Sequence, residues 1–577
     1  MFFPCAAFLL QADSTPTAQS KLTLGGMDIA VAIIYLVGIV AIGLYATMRH
    51  KRSQGEASDY FLAGKSLRWG TIGLALFATN ISTVHLVSLA QSGFDTGLLN
   101  GNFEWMAALT LVMLGLFFAP FYIRSGIATL PDFLEKRYNR LCRDWLAVIS
   151  ILSAVLIHIA FALLTGGIIL ETLLGIDMMW SIAVLCALTG LYTIIGGLLA
   201  VVVTESIQTV VLLIGAATIT GFAFWQLGGS PEAPGGWDGW ANLKEILNSH
   251  DANSKLSMLR PHGDKDGMPW YAIFLGYPVL GIWYWCADQT IVQRVLGARD
   301  EHHARQGPIF AGLIKILPVF IFVLPGLLAW ALFQEGRMDL SNLPMVDGKV
   351  DSKGVYGLMI TELLPIGMRG IIVAALMAAL MSTVSGALNS ISTLASYDLV
   401  KRFRPDLGDR QLVKVGRIAA GIALVTAVAL VPAINSYQSL FEALNDIISH
   451  IAPPITCVFL LGIFWKRASS RGAAFTLIGG SILGGIVFIA KTVDDKNIVN
   501  QVPGGFMTMA FILLMICIAM QVIASILLPD PIDERRQLCW DRPWTPLTIP
   551  GKSKLGDPRL LSLLLLAAMT VLYSIFR

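Results

Sequence analysis

Charge is what this chain has least of. Only 14% of its 577 residues are Asp, Glu, Lys or Arg, while 55% are hydrophobic. A soluble protein of that length needs a charged skin over its core, so a fully water-bathed globule is excluded. The net charge of +3 is too small to point to a nucleic-acid partner. Catalytic patterns are missing as well: there is no zinc-protease helix, phosphate loop or nucleophile elbow, so nothing indicates an enzyme. Seven cysteines (Cys5, Cys142, Cys186, Cys286, Cys457, Cys517 and Cys539) show no metal or redox spacing and read as packing residues. The apolar start, MFFPCAAFLL, lacks a basic n-region, which favours a short leader over a cleaved signal peptide. His302-His303 lies in a basic loop and reads as a solvated pair.

The apolar residues come in blocks of roughly 20, long enough as helices to cross about 30 Å of hydrocarbon. The blocks do not alternate with period two, which excludes a barrel and leaves helices as the spanning form. Hydropathy predicts an all-α polytopic membrane protein with about 14 transmembrane helices. They lie near 26–47, 69–96, 102–123, 144–172, 178–198, 204–227, 269–293, 307–335, 357–397, 414–433, 437–464, 473–490, 504–528 and 560–576. About 28 of the 41 Lys and Arg residues fall in alternate loops, counting Arg49, Lys51, Arg124, Arg140, Arg294, Arg299, Lys401, Lys466 and Arg535 among them. That set is cytoplasmic by the positive-inside rule. Both termini are then extracellular or periplasmic, in a plasma (inner) membrane.

The expected organisation has six parts. Residues 1–25 are an extracellular leader, and 26–68 an extra helix with a cytoplasmic loop. Residues 69–227 and 269–467 are two repeats joined by an extracellular loop, 228–268. Residues 468–577 hold further helices and a cytoplasmic linker, 529–559. The two repeats begin on opposite sides of the membrane and each takes five helices, so they form an inverted repeat. The first helix of each looks interrupted: at ATNIST (Ala78–Thr83) in one, and at GYPVLG (Gly276–Gly281) in the other. Proline removes a donor and glycine loosens a helix. Paired breaks in matching positions point to a transporter's binding site. Glu104, Glu205 and Lys315 add ionisable groups inside apolar runs. Each costs about 2.5–3.5 kcal/mol at mid-bilayer on insertion scales, so each needs a partner or a wet cavity.

These residues carry a resemblance. FATNISTVHLVSLAQSG, GNFEW, SGIATLPDFLEKRYN, LYTIIGGLLAVVVTESIQ, WYWCADQTIVQR, LMAALMST and APPITCVFLLGIFWKR resemble, in order, motifs of the sodium–solute symporters, most closely the sodium–glucose cotransporter branch. The resemblance implies a LeuT-type five-plus-five inverted repeat with extra helices at both ends. It implies Na+ as coupling ion, a small polar solute (a hexose, or inositol or another polyol) as partner, and alternating access across the lipid bilayer. By motif, sodium would be held by the carbonyls of Ala78, Ile81 and Ala379 and the hydroxyls of Ser382 and Thr383. Oxygen ligands of that kind suit a hard cation.

A second sodium site, present in some members, would use Glu205 and Ser385. Here the acid is one carbon longer than usual and one expected hydroxyl is Gly386, which favours one sodium per cycle. The solute positions carried over are Asn80, His85, Glu104, Tyr284, Trp285, Lys315 and Asn445. Leu89, Phe103 and Phe441 match an outer apolar gate, and Tyr284 also matches the inner one. Three positions depart from the sugar pattern: Asn445 replaces Gln, Ile448 replaces Thr, and Gly281 replaces a polar residue. A sodium-dependent sensor without transport is the main alternative of another class. The chain carries no soluble output domain that would favour it, and a channel or a membrane enzyme fits the residues less well.

Overall fold

In the computed structural model of the chain, the described residues are 24–50, 57–230, 232–264, 268–341, 343, 345–346, 349–434, 440–493, 502–530, 538–549, 551 and 556–577. Most of the expected leader lies outside them, as does the side chain of Phe441. The described chain is built of helices. Two short hairpins, at Gly229–Ser230 with Ala233–Pro234 and at Met345–Val346 with Lys349–Val350, sit in loops.

Among the described residues, eleven helical stretches are long and apolar enough to span a membrane. Three of the expected crossings do not appear as separate stretches, for a geometric reason. Met178–Leu227 runs for 50 residues, about 75 Å at 1.5 Å per residue, more than twice a bilayer core. It divides at Gly197, whose φ of 67° is left-handed; a Cβ there would stand 2.4 Å from the Tyr60 carbonyl oxygen, so only glycine fits the corner. Thr83–Arg124 joins the second half of one interrupted crossing to the next crossing. The other interrupted crossing, 270–296, is too broken to form one long helix. With these resolved, the fourteen crossings are present.

Thirteen elements frame the site. They are α1 (Gly26–His50), α2 (Trp69–Asn80), α3 (Thr83–Thr96), α4 (Asn102–Met113), α5 (Arg140–Leu174), α6 (Met178–Leu227), α7 (Trp270–Ile282), α8 (Gln289–Leu296), α9 (Glu301–Ile314), α10 (Met368–Leu394), α11 (Leu440–Phe464), α12 (Gly505–Leu527) and α13 (Pro558–Ile575). Helix α10 is the axis of the molecule. The apolar stretch that contains it is 94% buried, against 17% for α1 and 22% for α13. A helix apolar all round belongs inside; the peripheral ones expose their apolar faces to lipid.

The first interruption falls where the sequence predicts. Helix α2 ends at Asn80, and Ile81 (φ −79°, ψ 103°) and Ser82 (φ −99°, ψ 174°) are extended. Ser82 and His85 then form a reciprocal capping box that starts α3, so freed backbone donors are satisfied within the break.

The second interruption does not lie at GYPVLG. Helix α7 runs through Pro278 to Ile282, continues as a π turn over Trp283–Ala287, and breaks at Asp288 (φ −90°, ψ 125°). Pro278 removes one hydrogen bond, and its φ is compatible with a helix. The two glycines serve packing instead of unwinding. A Cβ on Gly276 would lie 2.2 Å from the Met507 carbonyl oxygen, and one on Gly281 would press on Tyr277 and Thr110 at 2.7 and 2.8 Å. The local sign of the true break is Asp288, whose Oδ1 accepts from the Thr290 amide at 2.6 Å as the N-cap of α8.

The extra helices are bolted to this core by buried polar bonds. Asp28 of α1 accepts from the amides of Gly367 (2.7 Å) and Gly370 (2.8 Å) and from Gly25 (3.2 Å). Its carboxylate therefore caps the N-terminus of α10, where negative charge is favoured. Between the two repeats, Arg137 donates to the carbonyls of Gly462, Trp465 and Ala468 at and just past the end of α11. Part of the expected 529–559 linker is seated too: Trp540 donates its indole N–H to the Phe117 carbonyl at 3.1 Å.

Asp28→Ala should destabilise the protein by roughly 2–4 kcal/mol, because buried amides lose a charged acceptor. The check is a thermal melt in detergent; a midpoint equal to that of the parent would mean that α1 does not brace α10.

Candidate functional site

The first interruption and the helix that leads into the second face one cavity of about 90 Å³. Asn80, Val84 and His85 line it from the first interrupted helix, and Tyr277, Leu280, Gly281 and the run Trp283–Trp285 from the second. Phe103 and Glu104 of α4, Lys315, and Leu444, Asn445 and Ile448 of α11 complete the wall. All seven expected solute positions are thus brought together. Of the expected gate residues, Phe103 and Tyr284 line the cavity. Leu89 is fully buried in the packing of α3 and is not among the lining residues.

The charges in this wall are placed by helix ends. Glu104 sits in the first turn of α4 and Lys315 caps the C-terminus of α9, so each lies at the helix pole that favours its sign. The Lys315 ammonium contacts the Glu104 carboxylate directly, with side-chain exposures of 1% and 2%. It also stands 5.6 Å from the Trp285 ring centre and 6.0 Å from that of Phe77. The site therefore holds two formal charges and no net charge. His85 follows from the cap of α3. The Ser82 amide donates to His85 Nδ1 at 3.3 Å, which leaves the proton on Nε2. That nitrogen points at Glu104, 4.0 Å away. Asn80 Oδ1 is a buried acceptor in the cavity wall beside the Tyr284 hydroxyl.

Tyr277 and Trp283 were missed by sequence reading, though a signal existed. Tyr277, Leu280, Gly281 and Tyr284 recur at spacings of three, four and seven, one face of a helix. The absence of a polar group at 281 also has a physical reason, since the space for its side chain is taken by Tyr277 and Thr110.

Of the expected sodium ligands, Ser382 links α10 to the Ala78 carbonyl, while its bond and that of Thr383 to Ala379 lie within α10. Ser382 Oγ donates to the carbonyls of Ala78 (2.9 Å) and Ala379 (3.0 Å), and Thr383 Oγ1 to Ala379 (3.1 Å). Ser382 on α10 thereby touches the last turn of α2, beside the extended Ile81. Among the described residues no three His, Cys, Asp or Glu side chains gather to hold a metal. A cation here would meet neutral hydroxyl and carbonyl oxygens, which suit a hard monovalent ion.

Glu205, expected with Ser385 at a second site, is held by other partners. Glu205 is fully buried, and Arg294 of α8 meets it with Nη2 at 2.5 Å from Oε1 and Nε at 3.3 Å from Oε2. Thr79 adds a bond at 2.9 Å. Arg294 was counted with the cytoplasmic loops; it is instead fully buried within α8, because a buried carboxylate demands a counter-charge. Its guanidinium already supplies the positive charge beside Glu205. Ser385 donates to the Ser382 carbonyl at 3.0 Å. The longer acid and Gly386 belong together: a Cβ on Gly386 would lie 2.6 Å from Arg294 Nη2.

Glu104→Ala should cost about 3–5 kcal/mol, since it strands a buried ammonium. The double variant Glu104→Ala/Lys315→Met should regain most of that stability without regaining solute binding. Thermal melts together with a binding titration read both; a double variant that still binds solute would move the recognition charges elsewhere.

The comparisons agree with this geometry. A profile of the sodium:solute symporter family matches residues 60–480. Sodium/glucose cotransporter 1 of Sus scrofa is 33% identical over 539 residues, covering 89% of this chain and 81% of that protein. The sodium/myo-inositol cotransporter of Canis lupus familiaris is 32% identical over 535 residues, covering 88% and 74%. Among solved structures, a Na+-coupled sialic acid symporter in its substrate-bound outward-open state superposes with a TM-score of 0.74 at 22% identity, over 88% of this chain and 100% of that one; this likeness bears on the fold, the expected LeuT-type repeat. On the extent of the profile match and these identities, the chain belongs to the sodium:solute symporter family.

Proposed function

We propose that this protein is a sodium-coupled symporter that imports a neutral hexose or closely related polyol by alternating access. One observation carries the choice of solute. The cavity's carboxylate and ammonium are already paired, so an ionic solute would have to break that pair, whereas a neutral polyhydroxylated ring can share it. Donors and acceptors on Asn80, His85, Glu104, Lys315 and Asn445 suit hydroxyl groups, and Tyr284 and Trp285 offer aromatic faces to the C–H side of the ring. Inositol fits the same description, and a relative named for it supports keeping it as second solute.

The coupling proposal is local. Sodium held between Ala78 and Ile81 carbonyls and the Ala379, Ser382 and Thr383 oxygens would fix α2 against α10. That would set the neighbouring Asn80 and His85 for the solute. Phe103 and Tyr284 serve as outer and inner lids, and repeats 69–227 and 269–467 as the moving bodies. With Arg294 serving Glu205, one sodium accompanies each solute. One charge moving through 100 mV yields about 2.3 kcal/mol. A tenfold sodium gradient adds about 1.4 kcal/mol, so accumulation of a few hundredfold is within reach. Basic residues concentrated on one side support a plasma-membrane orientation with both termini outside.

The test is uptake of labelled hexose and myo-inositol into proteoliposomes, with and without an inward sodium gradient. Sodium-driven, saturable hexose uptake is expected. Binding without uptake would make the protein a sensor, and uptake indifferent to sodium would end the proposal. Ser382→Ala and Thr383→Ala should each raise the half-saturating sodium concentration, by up to about tenfold, with little change in maximal uptake. Unaltered sodium dependence in both variants would place the coupling ion elsewhere.

A further inference from the structure

Helix α8, the inner half of the second interrupted helix, is held by its own polar side chains. Gln289 accepts from the Leu130 amide at 2.8 Å, Gln293 donates to the Phe61 carbonyl at 2.8 Å and to Thr393 at 2.6 Å, and Arg294 pairs with Glu205. At its N-terminus a further bond has no place in the account so far. His158 Nε2 lies 2.9 Å from Asp288 Oδ2, with side-chain exposures of 5% and 7%. The other carboxylate oxygen, Oδ1, is the N-cap of α8. One carboxylate therefore starts the helix and ties it to α5.

Two features set this bond apart from an ordinary buried pair. His158 stands within the π turn Ala154–Ala160 of α5, and Asp288 directly follows the π turn Trp283–Ala287. Such turns insert a residue and re-aim the side chains around it, and they recur at functional sites. The His158 ring is also 5.8 Å from that of Tyr284, on the cavity wall, yet neither His158 nor Asp288 lines the cavity. The pair is thus one layer behind the proposed inner lid. An imidazole N–H donates to a carboxylate whether or not the ring is protonated, so the bond persists in either state of His158.

We infer that His158 is a positioning residue for transport: through Asp288 it holds α8 and the Tyr284 ring in the inner-closed arrangement, and this bond must break before the cavity can open inward. It keeps the inner side shut until sodium and solute are both bound, and so governs coupling and not solute affinity. The inference rests on the symport reading, and wild-type uptake tests that reading separately.

The experiment compares His158→Leu, His158→Gln, Asp288→Asn and the Leu/Asn double variant in proteoliposomes, each first shown folded by a sodium-dependent thermal shift. In His158→Leu, solute-independent sodium leak should rise and steady-state solute accumulation should fall at least about fivefold, while KM for external solute stays within about twofold. His158→Gln keeps a donor and should restore coupling. Asp288→Asn should mimic His158→Leu, and the double variant should be no worse than either single one, since both remove one interaction. The inference is overturned by a raised KM with accumulation intact, by a His158→Gln variant as leaky as His158→Leu, or by single effects that add in the double variant.

Discussion

A helix that breaks inside a membrane leaves amides and carbonyls without partners, in a medium that offers none. Everything at the centre of this protein answers that demand. At the first break, Ser82 and His85 cap each other's backbone and Ser382 reaches across from α10 to the Ala78 carbonyl. At the second, Asp288 caps α8 with one oxygen and meets His158 with the other. The residues that repair the breaks are also the residues nearest the proposed ion and solute. A ligand that offers oxygen or positive charge at these points replaces repairs the protein already makes, at little cost in reorganisation.

Ionisable groups obey the same logic. Taking one charge out of water costs several kcal/mol even after relaxation, and the two buried glutamates among the described residues each carry a dedicated cation. Glu104 with Lys315 sits in the cavity wall, each at the favourable pole of its helix. Glu205 with Arg294 sits behind the break, closed off by Thr79. The first pair lines the cavity and can be shared with a bound molecule. The second is fully buried and ties α6 to α8. The two pairs are alike in chemistry and nearly alike in burial, and they differ in that the first lines the cavity and the second does not.

Much of this was legible in the residues. Apolar runs located the crossings, the polar stretch Asn80–Thr83 located the first break, and the resemblance assembled seven solute positions that do share one cavity. The second break was misread because Gly276, Pro278 and Gly281 carry the same signs whether a helix unwinds or a neighbour presses close. Met507, over two hundred residues away, decides between them, and no local window contains it. The informative residue was Asp288, an N-cap in front of a short helix. Arg294 was misassigned for a related reason: counting basic residues cannot see that one of them has a buried carboxylate waiting on another helix. Leu89 matches a gate by motif; it is fully buried and is not among the cavity-lining residues.

The contact between Gly276 and the Met507 backbone reaches beyond local packing. Met507 belongs to α12, which lies outside the two repeats, so an accessory helix is keyed against α7 at a point with no side chain between them. A stripped ten-helix version of this carrier would present lipid with a notch shaped for peptide backbone, which acyl chains cannot line as closely. The C-terminal helices are in this sense a bearing surface, and trimming them would loosen the very rod on which Tyr284 rides.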